Sequence, residues 1–221
     1  MSTVFTVIEI IGIISFSISG AIMAIDREND FFGVVFLALI TSFGGGMLRD
    51  IFIGNNPPVF FKSYLLVIVS IITAILVFIL AAIFKKQYVK NEQLVGTVNN
   101  ILDAAGLGVF VVSGTKLCLE LGFTNPFLVV VMGMLSGTGG SMTRDIIMRE
   151  VPYLLRKRIY MLAAIAGAIV YYLLWHFKIS DAIALPVSTL LIFTIRVLAT
   201  IFKWNMPRAI VFSDLKEDEE N

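Results

Sequence analysis

Seven stretches of roughly 20 apolar residues, separated by charges and turn residues, dominate this sequence, and that is the length an α-helix needs to cross a hydrocarbon layer about 30 Å thick. They lie near residues 4–24, 32–54, 63–84, 98–119, 126–148, 159–177 and 183–202, and little chain is left over. Residues are 58% hydrophobic and only 15% charged, where a soluble domain carries about a quarter charged. The expected fold class is an all-α integral membrane protein with seven transmembrane helices. The first stretch lacks a basic leading segment, is interrupted by Glu9, and runs on past Ser19 and Gly20 in apolar sequence. It reads as a retained helix and not as a cleaved signal.

Charge outside the stretches is unevenly placed. Threading them alternately across a bilayer puts Arg27, Lys85, Lys86, Lys90, Arg149, Arg156, Lys157, Arg158, Lys203, Arg208 and Lys216 on one side, and Lys62 and Lys178 on the other. Basic loops resist translocation, so eleven against two predicts an outer N-terminus and a cytoplasmic C-terminus. The acidic end Ser213 to Asn221 reads as a solvated tail. No block of Lys and Arg points to nucleic acid. A lone Cys118 and a lone His176 make neither a disulfide nor a four-ligand zinc site, and no cofactor is implied.

The chain also repeats itself. At a shift of 94 residues the first stretch matches the fourth: Glu9 with Asp103, Gly12 with Gly106, Phe16 with Phe110, Ser19 with Ser113, and Gly20 with Gly114. At a shift of 95 the second matches the fifth: Gly44 with Gly139, Gly45 with Gly140, Arg49 with Arg144, Asp50 with Asp145, and Pro57 with Pro152. A unit of three crossings is odd in number, so the second copy enters from the opposite side and the repeat is inverted, an architecture of transporters and channels. The expected organisation is residues 1–90 as the first three-helix repeat, 91–178 as the second, 179–204 as an added seventh helix, and 205–221 as a cytoplasmic tail.

The chemistry concentrates on Gly44, Gly45 and Gly46 in the second stretch, and on Gly137, Thr138, Gly139, Gly140 and Ser141 in the fifth. Each glycine costs about 1 kcal/mol relative to alanine inside a helix. Two compensations are open: close packing of two helix backbones, or a kinked or unwound stretch whose carbonyls and half-helix ends meet a passing ion. Arg49, Asp50, Arg144 and Asp145 follow these glycines within two turns, where an ionisable group facing lipid costs at least ~2.5–3.5 kcal/mol. Adjacent helix positions point about 100° apart, which predicts partners across the repeat, Arg49 with Asp145 and Arg144 with Asp50. The alternative is that the four snorkel to an interface. Lys116 has Ile22 as its counterpart, so the symmetry breaks there; it reads either as a charge beside a cation path or as a snorkelling side chain. Glu9 and Asp103, with Ser19 and Ser113 on the same stretches, are secondary candidates, either for attracting cations or for pairing with a neighbour such as Arg196.

The duplicated motif, GGGMLRD followed by Pro57 and GTGGSMTRD followed by Pro152 in a 3+3+1 order of helices, resembles the trimeric intracellular cation (TRIC) channel family, whose prokaryotic members are also labelled glycine-transporter-like domains. The resemblance spans nearly the whole chain. It implies a homotrimer in which each subunit holds its own pore, potassium and sodium as permeant ions, membrane lipids as surroundings, and kinks in the second and fifth helices at the glycines beside the pore. Ser141 stands where the second motif would carry a third glycine, so the two sites are not expected to be alike. Short loops suit the plasma membrane of a prokaryote. A carrier of a small solute such as an amino acid is the competing function, since an inverted repeat can rock about a midplane site. No nucleophile elbow or His-Glu-x-x-His run points to an enzyme.

Overall fold

The computed structural model describes residues 3–156 and 159–204 and is helical throughout its regular structure. Seven helices are long and apolar enough to span a membrane: α1 (Thr3–Asp26), α2 (Phe31–Ile53), α3 (Tyr64–Ile83), α5 (Glu92–Glu120), α6 (Pro126–Ile147), α8 (Ile159–His176) and α9 (Asp181–Ile201). Short helices α4 (Lys85–Lys90) and α7 (Tyr153–Arg156) and a single 3-10 turn at Val59–Lys62 fill the connections. The tail 205–221, with Arg208 and Lys216, and the loop residues Lys157 and Arg158 lie outside the described residues.

Local signals set the helix ends. Asp30 caps α2 by accepting from the Gly33 N–H at 2.8 Å, and Asn125 caps α6 through the Leu128 N–H at 3.1 Å, with Pro126 in the first helical turn. Gly54 ends α2 at φ 72°, a conformation that favours glycine.

The fold is an inverted 3+3 repeat, α1–α3 against α5, α6 and α8, with α9 as the unpaired seventh helix. Its centre is the crossing of α2 with α6, flanked by α1 and α5. A methyl on Gly44 would lie 3.3 Å from the Gly140 Cα, and one on Gly139 would lie 2.9 Å from the Gly45 Cα. The 95-residue shift converts one of these contacts into the other, so the crossing sits on the pseudo-twofold axis. A second self-matched contact lies beside it: the rings of Phe16 and Phe110 stack at 5.2 Å between centroids, 18° from parallel. Gly106 leaves the space Phe16 fills, and Gly12 does the same for Val109 and Phe110.

The large exposed side chains of α3, among them Leu65, Ile68, Ile72, Leu76 and Leu80, form an apolar face suited to lipid tails. α9 packs on α5 and α8. It covers the second repeat and has no counterpart on the first.

Candidate functional site

Gly44–Gly46 and Gly137–Ser141 lie within continuous α-helix, so neither stretch is unwound. Close packing compensates the cost of these glycines. A methyl on Gly45 would lie 2.2 Å from the Ser136 carbonyl oxygen, one on Gly140 would lie 2.1 Å from that of Thr41, and one on Gly137 would meet Val111 at 2.4 Å. Gly46 is different, with only the Arg49 guanidinium in reach at 3.7 Å. Thr138 donates to the Met134 carbonyl at 2.9 Å, and Ser141 shares a 3.0 Å hydrogen bond with the Tyr160 hydroxyl, which ties α6 to α8.

The cross-repeat ion pairs are overturned. Arg49 donates from Nε and Nη2 to Asp50 Oδ1 at 3.0 and 2.9 Å, and Arg144 does the same to Asp145 Oδ1 at 3.0 and 2.8 Å. Adjacent Cβ atoms do diverge on a helix. The arginine side chain is nonetheless long enough to curl around the helix, and its planar fork presents two donors to one carboxylate. All four residues are buried, so they do not snorkel. What crosses between the repeats is the remaining nitrogen of each guanidinium: Arg49 Nη1 donates to Ser136 Oγ at 3.0 Å and Arg144 Nη1 to Ser19 Oγ at 3.3 Å. Asp50 also fixes the loop that follows α2, accepting from Asn55 Nδ2 at 3.2 Å and from the Val59 N–H at 2.8 Å.

Each Arg–Asp pair borders its own cavity. One, of about 50 Å³, is lined by Glu9, Ser42, Arg49, Asp50, Phe110 and Ser113 among others, and sits by the N-terminal end of α1. The other, of about 280 Å³, is lined by Ser19, Met23, Asp26, Asp103, Arg144 and Asp145 among others, toward the C-terminal end of α1. Shifting Glu9, Arg49, Asp50 and Ser113 by the repeat gives Asp103, Arg144, Asp145 and Ser19, so the cavities are symmetry mates: each has a carboxylate, an Arg–Asp pair and a serine.

The seventh helix makes the two carboxylates unequal. Arg196 of α9 lies 3.6 Å from Asp103 and 4.4 Å above the Tyr160 ring. Among the described residues Glu9 has no ion-pair partner, and Arg49 beside it is engaged by Asp50. Lys116 lines neither cavity. It bonds Asp181 at the start of α9 and Glu120 one turn along its own helix at 2.8 Å, and Tyr171 also donates to Asp181 at 2.9 Å. It thus ties α5 to the α8–α9 corner. Outside the spans, the Tyr88 hydroxyl donates to Asp26 at 2.7 Å, and its burial and this carboxylate push its pKa up from the ordinary phenol value.

The sequence reading missed Ser136, Asn55 and the Val59 N–H as polar partners. The only signal for Ser136 is its place opposite Thr41 in the repeat.

A sequence profile of the family described as Glycine transporter matches this chain twice, at residues 6–82 and 100–176. The chain is 37% identical over 165 residues to a UPF0126 membrane protein of Deinococcus radiodurans, covering 73% of this chain and 72% of that protein. It is 34% identical over 164 residues to the UPF0126 inner membrane protein YadS of Escherichia coli K12, covering 74% and 75%. Among solved structures, a prokaryotic TRIC channel crystallised in 0.5 M KCl superposes with a TM-score of 0.82 at 32% identity, over 93% of this chain and all of that one. The TRIC trimeric intracellular cation channel orthologue from Rhodobacter sphaeroides does so at 0.81 and 29%, over 92% of this chain and all of that one. With two matches to one profile set 94 residues apart, and a fold shared end to end with these structures, the chain belongs to the glycine-transporter family of membrane proteins, on the prokaryotic TRIC side of it.

Proposed function

We propose that this protein is a monovalent cation channel, permeable to potassium and sodium, that assembles as a homotrimer with one path through each subunit. The path runs through the two symmetry-related cavities, past Glu9, Arg49, Asp50 and Ser113 at one end and Ser19, Asp103, Arg144 and Asp145 at the other, beside the glycine crossing of α2 and α6. The observation that carries the reading is the pair of carboxylate-bearing cavities set end to end within one subunit. Polar groups buried among spanning helices are costly, and they mark ion pathways where they line a cavity. The conductance studied in similar TRIC structures supports it, as does the trimer named for the Rhodobacter sphaeroides orthologue. The distribution of basic loop residues supports an outer N-terminus and a cytoplasmic C-terminus in a prokaryotic inner membrane, with lipids around the trimer.

Purified protein in planar bilayers under a potassium gradient is expected to give discrete unitary currents. A carrier cycle is orders of magnitude slower and gives none, so their absence alongside measurable solute exchange would establish the carrier reading instead. Glu9 lines its cavity with no ion-pair partner among the described residues, since Arg49 beside it is engaged by Asp50. Glu9→Gln is therefore expected to move the reversal potential in asymmetric KCl toward zero, while leaving the trimer intact by gel filtration.

A further inference from the structure

We infer that the stacked rings of Phe16 and Phe110 are the apolar barrier that separates the two cavities and closes the path between them. This rests on the channel reading above and adds to it the position and chemistry of the closure.

On α1, Glu9 and Ile13 line the first cavity and Ser19 and Met23 line the second. Phe16 lies between them on the same stripe, with steps of three and four residues throughout. On α5 the order is reversed: Asp103 lines the second cavity, and Phe110 and Ser113 line the first. The two stripes therefore carry polar groups at both ends and an aromatic ring in the middle, and the rings meet face to face at 5.2 Å. Phe16 is 1% exposed, so no wet passage skirts it. Glycines set this contact. A methyl on Gly106 would lie 2.2 Å from the Phe16 ring, and one on Gly12 would lie 3.3 Å from the Phe110 ring.

Two apolar rings facing one another between cavities lined by charged and hydroxyl side chains form a hydrophobic constriction, and such a constriction stops ions because a narrow apolar gap sheds its water. The rings lie on the pseudo-twofold axis, so a relative slide of α1 against α5 parts them symmetrically, opening toward both cavities at once. The other apolar residues of the α1 stripe, Ile13 and Met23, line the cavities themselves, which leaves the two rings between them.

The test is sidedness of labelling together with current. Met23→Cys and Met47→Cys place thiols in the second and first cavities respectively, on a Cys118→Ser background. In proteoliposomes of uniform orientation, a membrane-impermeant cationic thiosulfonate should modify Met47→Cys only from the side of the α1 N-terminus and Met23→Cys only from the other. Adding Phe16→Ala with Phe110→Ala should let each thiol react from both sides and raise potassium flux several-fold. Phe110→Leu keeps the gap apolar and should leave both readouts close to the parent's, which separates loss of a seal from loss of fold. Retained sidedness in the double alanine variant, or labelling from both sides with both rings present, overturns the barrier. A parent that conducts while the double variant neither leaks nor loses sidedness refutes the barrier alone. A parent that passes no current, with a double variant that leaks and labels from both sides, refutes the channel and upholds the barrier.

Discussion

Asp50→Ala should lower the stability of the detergent-solubilised protein by about 3–5 kcal/mol, the cost of removing one partner from a buried ion pair. The loss should appear as a large drop in the melting midpoint followed by size exclusion. The effect is large because one carboxylate answers four donors on three segments: Arg49 twice, Asn55 of the loop, and the N–H of Val59 where the 3-10 turn begins. Without it, a guanidinium 6% exposed faces its cavity with only Ser136 as a described partner, and the connection to α3 loses its anchor. Arg49→Lys should fall short of wild type as well, because a single ammonium cannot supply the two parallel donors to Asp50 and a third to Ser136. Exchanging charges across the repeat, Arg49→Asp with Asp145→Arg, should restore nothing. If it rescues the single variants, the adjacent pairing is not the one that holds the protein together.

The second large effect separates neighbouring glycines. Gly45→Ala drives a methyl to 2.2 Å from a carbonyl oxygen of α6, and Gly140→Ala drives one to 2.1 Å from a carbonyl oxygen of α2. Backbone cannot rotate away as a side chain does, so the helices must separate along their whole crossing. Overpacking costs typically about 1–3 kcal/mol, and more when the obstacle is rigid. Gly46→Ala meets nothing nearer than the Arg49 guanidinium at 3.7 Å, an ordinary contact, and gains about 1 kcal/mol of helix propensity. Thermal melts of the three variants should therefore place Gly46→Ala at or above wild type and the other two well below it. Equal midpoints would mean that the crossing is looser than these distances require.

The spans were legible because hydrophobic length is a direct reading of the solvent. The stretch near 63–84 is α3 at Tyr64–Ile83, and 126–148 is α6 at Pro126–Ile147. The stretch near 98–119 understates α5, which begins at Glu92, because Glu92, Gln93 and Thr97 end an apolar count without ending a helix. The repeat was legible because a duplicated polar pattern survives where apolar residues interchange freely. Arg196 as partner to a carboxylate also follows from the cost of a bare charge, and Asp103 is that carboxylate.

What the sequence hid was side-chain reach and the reason for the glycines. Helix geometry gives the direction of Cβ but not the path of an arginine's four further bonds, so the adjacent Arg–Asp pairing could not be seen. Propensity registers a glycine cluster as a weakness in one helix, whereas its compensation lies on another, at Thr41 and Ser136. The two cavities were equally invisible, since they exist only where α1 and α5 bring opposite ends of two stripes into register.

Gene duplication alone would make a molecule that is electrically the same read from either end. The guanidinium that α9 sets against Asp103 destroys that equivalence, because Glu9 receives no such counterweight. An ion approaching from one face climbs a different potential from an ion approaching from the other, so the current at equal and opposite voltages should differ in size. Arg196→Gln should make the two limbs of that curve more alike. The helix that stands outside the duplication is thus the one that gives the protein a forward and a reverse direction.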